Sequence, residues 1–318
     1  MNQLDWENLT KVDKKKLFAD RPVLILGMRD VSVNRIKQLD KKLKAQLKGQ
    51  ELVWGALEEE FVAGLEDSPQ FASLTLTKLT DALPSNSTLL SYPQRYAHYL
   101  LKEIDWSAII GVYGSWHRAF HFTDLYRVIT QKKLQYKLVS SFVDQGEAKS
   151  YLKQILPQLP KVKMPKIRKA DSTSKKRSDQ ELMELVELAA HRSFDYTFQT
   201  GAVLAKDGQL LLSAHNRVLP YETYILHRGA SKEKQFSPPQ DLNHFDTNHA
   251  EVELVIKALE QGVSLAGTSL YINLLPCPIC ARMLARSKIA EIVYRHDHSQ
   301  GYGFRLLRAS GKKVRRVN

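Results

Sequence analysis

The sequence predicts two α/β domains joined by a basic linker. Three observations carry that prediction: a length of 318 residues, short apolar runs alternating with helical periodicity over residues 1–160, and a Pro- and Lys-rich stretch followed by a second alternating set. Apolar residues make up 43% and charged residues 25%, a balance that excludes a wholly disordered chain. The longest apolar runs, 23–27 and 109–113, fall far short of the roughly 20 residues a bilayer span needs, so no membrane partner is expected. The first sixteen residues, MNQLDWENLTKVDKKK, hold no apolar core of a secretory signal, which points to a cytoplasmic protein.

The net charge of +13 is unevenly spread. Residues 1–160 carry +4, residues 161–177 carry +7, and residues 178–318 carry +2. The expected organisation is therefore 1–160 as an N-terminal α/β domain of unknown role, 161–177 as a basic linker, and 178–318 as a second domain. The linker, KVKMPKIRKADSTSKKR, reads as an extended, solvated segment, or else as a strap for a polyanion.

In the first domain, residues 23–27 read as a buried strand. Residues 33–48, with Ile36, Leu39, Leu43 and Leu47 at three- and four-residue spacing, read as an amphipathic helix. Further strands are expected at 51–57, 74–79, 88–92, 108–115 and 136–143, with helices at 95–102, 120–133 and 147–156. The glycines of Gly27-Met-Arg-Asp30 and Gly111-Val-Tyr-Gly114 follow strands, but neither completes a phosphate-binding signature. A scaffold, assembly or recognition role and a ligand site both stay open here.

In the second domain, Ser178 followed three residues later by Glu181 predicts a capped helix start, with Leu182, Leu185, Val186 and Ala189 on one face. Residues 200–204 and 210–214 predict a hairpin across Lys206-Asp207-Gly208. A long polar insertion, 217–247, follows. Helices at 250–261 and 278–287, strands at 269–273 and 290–294, and a closing helix and strand within 306–314 complete the pattern.

The chemistry concentrates in His249-Ala250-Glu251 and Pro276-Cys277-Pro278-Ile279-Cys280, each opening a helix. Cys277 and Cys280 are the chain's two cysteines, and their spacing puts both sulfurs on one turn. Thiolates at a helix N-terminus are stabilised by free N–H groups, and His249 offers a third ligand. Three protein ligands leave one tetrahedral position for water, the mark of a catalytic zinc. Zinc brings the pKa of its water toward neutrality, so a zinc-bound hydroxide is expected to attack a ring carbon while Glu251 shuttles protons. Two other readings stand beside this one. A structural zinc needs a fourth ligand, for which His244, His296 and His298 are the candidates. A redox Cys-x-x-Cys leaves the His-Ala-Glu run unexplained.

The H-x-E and P-C-x-x-C pair is the known signature of zinc nucleobase deaminases. From Thr200 to Val314 the chain resembles the cytidine/deoxycytidylate deaminase superfamily, with Gly201-Ala-Val-Leu204, Ala214-His-Asn216, His249-Ala-Glu251, Pro276–Cys280 and Ile289–Tyr294 in the family's order. The resemblance implies a three-layer α/β/α sandwich around a mixed sheet of about five strands. It also implies that Asn216 and the backbone of Gly201, Ala202 and Ala250 bind substrate, and that the protein assembles as a homo-oligomer.

The stretch from Arg295 to Val314 is similar to the deoxycytidylate deaminase branch, although Glu253 stands where that branch has Asn. Base deaminases acting on tRNA share the metal motifs. The implied function is hydrolytic deamination of a cytosine nucleotide or nucleoside, of dCMP type, with zinc as cofactor and a small nucleotide as partner. The alternative is deamination of a base in RNA or single-stranded DNA held by the first domain and the linker. Arg217, Arg228 and Lys232 are candidates for a 5′-phosphate, and Tyr302 and Phe304 for stacking on a base; solvated loop charge and core packing are the plain alternatives.

Overall fold

A computed structural model describes the chain except for residues 48, 61, 64–73, 117–123, 165–174, 235–245, 299 and 318, and describes the backbone alone at 232 and 233. Most of the expected linker, the second half of the polar insertion and the start of the helix expected at 120–133 thus lie outside the described residues. No helix among those described is long and apolar enough to cross a membrane. The chain divides into two compact units: Met1–Leu156 with Thr223–Asp246, and Pro157–Glu222 with Thr247–Asn318.

In the first unit, Asn2–Asp5 (β1), Val23–Leu26 (β2), Leu52–Leu57 (β3), Thr88–Tyr92 (β4), Ala108–Val112 (β5) and Tyr136–Val139 (β6) form one sheet in the order β1-β4-β3-β2-β5-β6. Every pairing is parallel. Strands covered on both faces need continuous apolar sequence, and β2 (VLIL) and β3 (LVWGAL) supply it with every residue buried. The helix Val33–Leu47 buries Ile36, Leu39 and Leu43, as their spacing requires.

Strand order reverses between β2 and β5, the place beyond the carboxyl ends where open parallel sheets usually bind ligands. Here that crevice is filled by the chain itself. Gly27 has φ +77°, and a Cβ on it would stand 2.1 Å from the Trp116 indole nitrogen, which donates to Val112 O. The Arg29 guanidinium is 5% exposed and donates to the carbonyls of Leu57, Glu58, Glu59 and Leu74. The Asp30 carboxylate accepts from Ser115 Oγ at 2.7 Å and from the Trp116 N–H at 3.3 Å. About 10 Å³ of cavity remains, room for one water.

Two local readings change. Residues 74–79, expected as a strand, open a helix at Leu76–Ala82, because Thr75 caps it by accepting from Lys78 N and because Leu79 and Ala82 bury one face. The LTLTKL alternation mimics a strand only until the cap is formed. Strand β1 was not anticipated; half exposed and at the sheet edge, it is defined by its register on β4 rather than by an apolar run.

In the second unit, Gly201–Lys206 (β7), Gln209–His215 (β8), Ser269–Leu274 (β11), Glu291–His296 (β12) and Lys313–Arg316 (β13) form a mixed sheet in the order β13-β12-β11-β7-β8. β11, β12 and β13 run parallel, while β7 is antiparallel to β11 and β8. Alternation along β7 builds the layers. Val203 and Ala205 face Leu182, Met183 and Val186 of the helix Asp179–Ala190. Ala202 and Leu204 face Leu254, Leu284 and Leu307 of the helices Ala250–Glu260, Pro278–Arg286 and Tyr302–Ala309. The expected three-layer architecture is therefore present.

Arg217–Val218 (β9) and Thr247–Asn248 (β10) pair antiparallel where the chain leaves this unit and returns to it. The excursion between them packs within the first unit. Thr223 Oγ1 donates to Ala148 O at 3.0 Å, and Leu226 O accepts from Ser141 N at 3.1 Å.

Candidate active site and metal centre

Two helix N-termini build the site. Strand β10 delivers His249 as the N-cap of the helix Ala250–Glu260, with extended backbone at φ −67°, ψ 154°. Strand β11 delivers Cys277 as the N-cap of the helix Pro278–Arg286, whose first position is proline and whose Cys280 N–H donates to Cys277 Sγ at 3.5 Å. The sequence Cys-Pro-x-Cys thereby turns one sulfur into a cap and places the other on the first turn beside it. Gly303 permits the approach of the next helix, since a Cβ there would lie 2.3 Å from Pro276 O.

His249 Nδ1 lies 3.5 Å from Cys277 Sγ and 3.4 Å from Cys280 Sγ. A tetrahedral zinc with Zn–S of about 2.3 Å and Zn–N of about 2.0–2.1 Å spans an N···S edge of about 3.6 Å. The three donors therefore fit Zn²⁺ as they stand. Among the described residues they form the one converging group of His, Cys, Asp and Glu ligands, and neither His296 nor His298 joins it; His244 lies outside those residues.

Electrostatics agree with this donor set. The hydrogen bond from Cys280 holds the Cys277 thiol down to about 4, with His249 adding to the effect, while the same contact pushes Cys280 up. Its hydrogen bond with Cys277 raises His249. One thiolate, one thiol and an imidazole thus share protons that a cation would displace. Glu251, 3% exposed, is pushed up to about 7 by burial, with a hydrogen bond to Cys280 opposing the shift. A carboxyl near neutrality beside the ligand set can both take and give a proton.

Asn216 is buried; its Oδ1 accepts from Thr200 N at 2.8 Å, and its Nδ2 donates to Phe198 O at 2.8 Å and Asp195 Oδ2 at 3.3 Å. Gly201 N donates to Asn273 Oδ1 at 3.0 Å, and a Cβ on Gly201 would stand 2.0 Å from Val186 O. Ala202 pairs with Ile272 and Ala214 in the sheet interior, and Ala250 is fully buried at the first helical turn.

Arg217 pairs with Glu222 at 3.4 Å. Arg228 ends the helix Tyr224–Arg228 of the first unit, and the Lys232 side chain is not among those described. Tyr302 OH accepts from Arg282 at 2.7 Å, and Phe304 packs against the core.

Sequence reasoning missed Asp195. Its Oδ1 accepts from the Thr197 and Phe198 N–H groups, and its Oδ2 accepts from Asn216 and from Thr247 Oγ1 at 3.4 Å. It therefore joins the loop before β7 to the residue just preceding β10's last position and His249. The Asp-x-Thr spacing of an Asx turn was the available signal.

The arrangement defines a class: a converging His–Cys–Cys donor set suited to a single metal ion, with a buried carboxyl two residues beyond the histidine. The comparisons show what this part of the chain is similar to. The C-terminal part of the chain carries the cytidine and deoxycytidylate deaminase zinc-binding region, whose family model matches residues 176–296. The deoxycytidylate deaminase of phage T4 is 28% identical over 129 residues, 38% of this chain and 63% of that protein. The phage T2 deoxycytidylate deaminase is 35% identical over 68 residues, 21% of this chain and 36% of that protein. The chain thus spans less than two thirds of these relatives' length. A crystal structure of the dCMP deaminase from the cyanophage S-TIM5, in complex with dCMP and dUMP, aligns over 43% of this chain and 95% of its own at 22% identity, with a TM-score of 0.36.

Proposed function

We propose that this protein is a zinc-dependent hydrolytic deaminase of a cytosine nucleotide or nucleoside, with dCMP-type substrates favoured. The observation that carries the reading is the His249–Cys277–Cys280 spacing, matched to a zinc tetrahedron and set beside the buried Glu251 carboxyl. Bound zinc supplies a Lewis acid that brings the pKa of water toward neutrality. Deamination adds water at the amino-bearing ring carbon and releases ammonia, so both protons of that water must move. Glu251 accepts one from the water, returns it to the ring nitrogen, and then carries the second from oxygen to the departing amine. The Asp195–Asn216–Thr200 contacts hold the loop before β7, and Asn216 Oδ1 keeps a lone pair for a sugar hydroxyl.

The test is ammonia release from dCMP, deoxycytidine, CMP, dCTP, tRNA and single-stranded DNA, with zinc content measured in parallel. Turnover of dCMP is the expected result. Turnover of polymer alone would move the reading to nucleic-acid editing. Glu251→Gln is expected to keep zinc and lose about 10²–10⁴-fold in turnover; a variant that keeps most of its activity removes Glu251 from this role.

A further inference from the structure

We propose that the first unit binds a small phosphate-bearing molecule in a cavity at the β6 edge of its sheet, away from the crevice at the strand-order reversal. That crevice is closed by Trp116 and Arg29 and retains about 10 Å³. The β6-edge cavity holds about 620 Å³, within the range of about 300–1,000 Å³ typical of ligand pockets. Its walls include Tyr113, Tyr136, Leu138, Lys133, Lys137 and Lys234.

The charge of the lining identifies the ligand class. No ion pair or side-chain hydrogen bond forms at Lys133, Lys137 or Lys234 among the described residues; Lys234 lies 5.4 Å over the Tyr224 ring. The neighbouring Lys132 behaves differently, directing its ammonium to the carbonyls of Leu101, Lys102 and Ile104. Three cations with no ion pair among the described residues, from a helix end, a strand and a separate chain segment, line one cavity, and an anion there is attracted to all three. Phosphate suits lysine as a point-charge partner.

Backbone conformation is the second, independent observation. Lys133 sits at φ 51°, ψ 39° in the left-handed position after the helix Leu125–Lys132, where glycine or asparagine is the low-cost choice. Lysine stands there at a cost of order 1 kcal/mol relative to glycine, and it lines the cavity. Two of the carbonyls in the last turn of that helix, of Thr130 and Ile129, accept from the N–H groups of Lys133 and Leu134. The excursion from the second unit is fixed against the same wall: a Cβ on Gly229 would stand 2.2 Å from the Tyr113 ring. Lys234, five residues further along, is carried by that anchored segment.

The test is titration of the full chain with inorganic tripolyphosphate, with ATP and with polyuridylate, at two salt concentrations. Saturable binding of tripolyphosphate or ATP is expected, weakened about tenfold by Lys137→Ala and by Lys234→Ala and left unchanged by Lys37→Ala, an exposed lysine elsewhere on the unit. The tighter of the two small probes separates a nucleotide from a free polyphosphate as the source. Equal weakening by Lys37→Ala, absence of saturable binding, or binding of polyuridylate alone would each overturn the proposal. Tryptophan emission serves as the folding control for every variant, because Trp6, Trp54, Trp106 and Trp116 all lie in this unit.

Discussion

Both units place a loop beyond the carboxyl end of a parallel strand, after β2 and β5 in the first and after β11 in the second, yet they use that position in opposite ways. In the first unit the loops after β2 and β5 turn inward: Trp116 lies on Gly27, and Arg29 satisfies the carbonyls at the end of β3. In the second unit the segments before the helices Ala250–Glu260 and Pro278–Arg286 end in side chains that point at a common centre, with no fourth ligand among the described residues. The same architecture therefore yields a packed core in one unit and a metal centre in the other. What differs is whether the residues at the strand ends are large and self-satisfying or small, capping and metal-binding.

The largest effect expected from breaking this contrast is at a ligand. Cys277→Ser should reduce zinc content to near zero by atomic absorption and abolish turnover, because it removes a thiolate ligand while serine keeps the cap of its helix. Tryptophan emission should be unaltered by that substitution, since every tryptophan lies in the other unit. Full zinc occupancy in the variant would show that the sulfur is dispensable.

Next in size, Trp116→Ala empties the filled crevice and should destabilise the first unit by about 3–5 kcal/mol in urea denaturation followed by the three remaining tryptophans. Zinc content should be unchanged. A loss below about 1 kcal/mol would mean that the indole is not part of the packed interior.

The smallest expected effect is a pH dependence. Burial pushes the Asp30 carboxyl up to about 6 against the hydrogen bonds from Ser115 and Trp116 and the charge of Arg29. The folded state thus holds this proton more tightly than the unfolded chain, whose Asp titrates near 3.9. The stabilisation is full below the unfolded value and is lost as pH rises through about 6. With each pH unit worth about 1.4 kcal/mol, the change is on the order of 3 kcal/mol at most. Asp30→Asn should flatten that slope in urea midpoints measured between pH 4 and 7. A slope identical to that of the parent protein would assign it to other groups.

Legibility followed locality. His249, Glu251, Cys277 and Cys280 were readable because a cap and its first turn are set by residues two or three apart, so the motif carries its own geometry. The hairpin β7–β8 and the helix from Asp179, with its Ser178–Glu181 capping box, were readable for the same reason. Thr75 shows how close the margin is: a single cap converts an apparent strand into a helix. Of Asp195 only the local turn with Thr197 was readable, because its partners Asn216 and Thr247 are 21 and 52 residues away. Strand β1 was equally hidden, being polar at an edge and specified by β4, 86 residues on.

By itself the sequence determined most of the alternation of strands and helices, the capping of the helix from Asp179 and the converging donor set His249, Cys277 and Cys280, since all of these depend on short-range periodicity and neighbouring side chains. Tertiary structure alone decided the order β1-β4-β3-β2-β5-β6, the closing of one crevice by Trp116, and the passage of Thr223–Asp246 into the first unit. Those outcomes depend on which distant surfaces bury each other. Burial energy depends on area removed from water and is blind to separation along the chain.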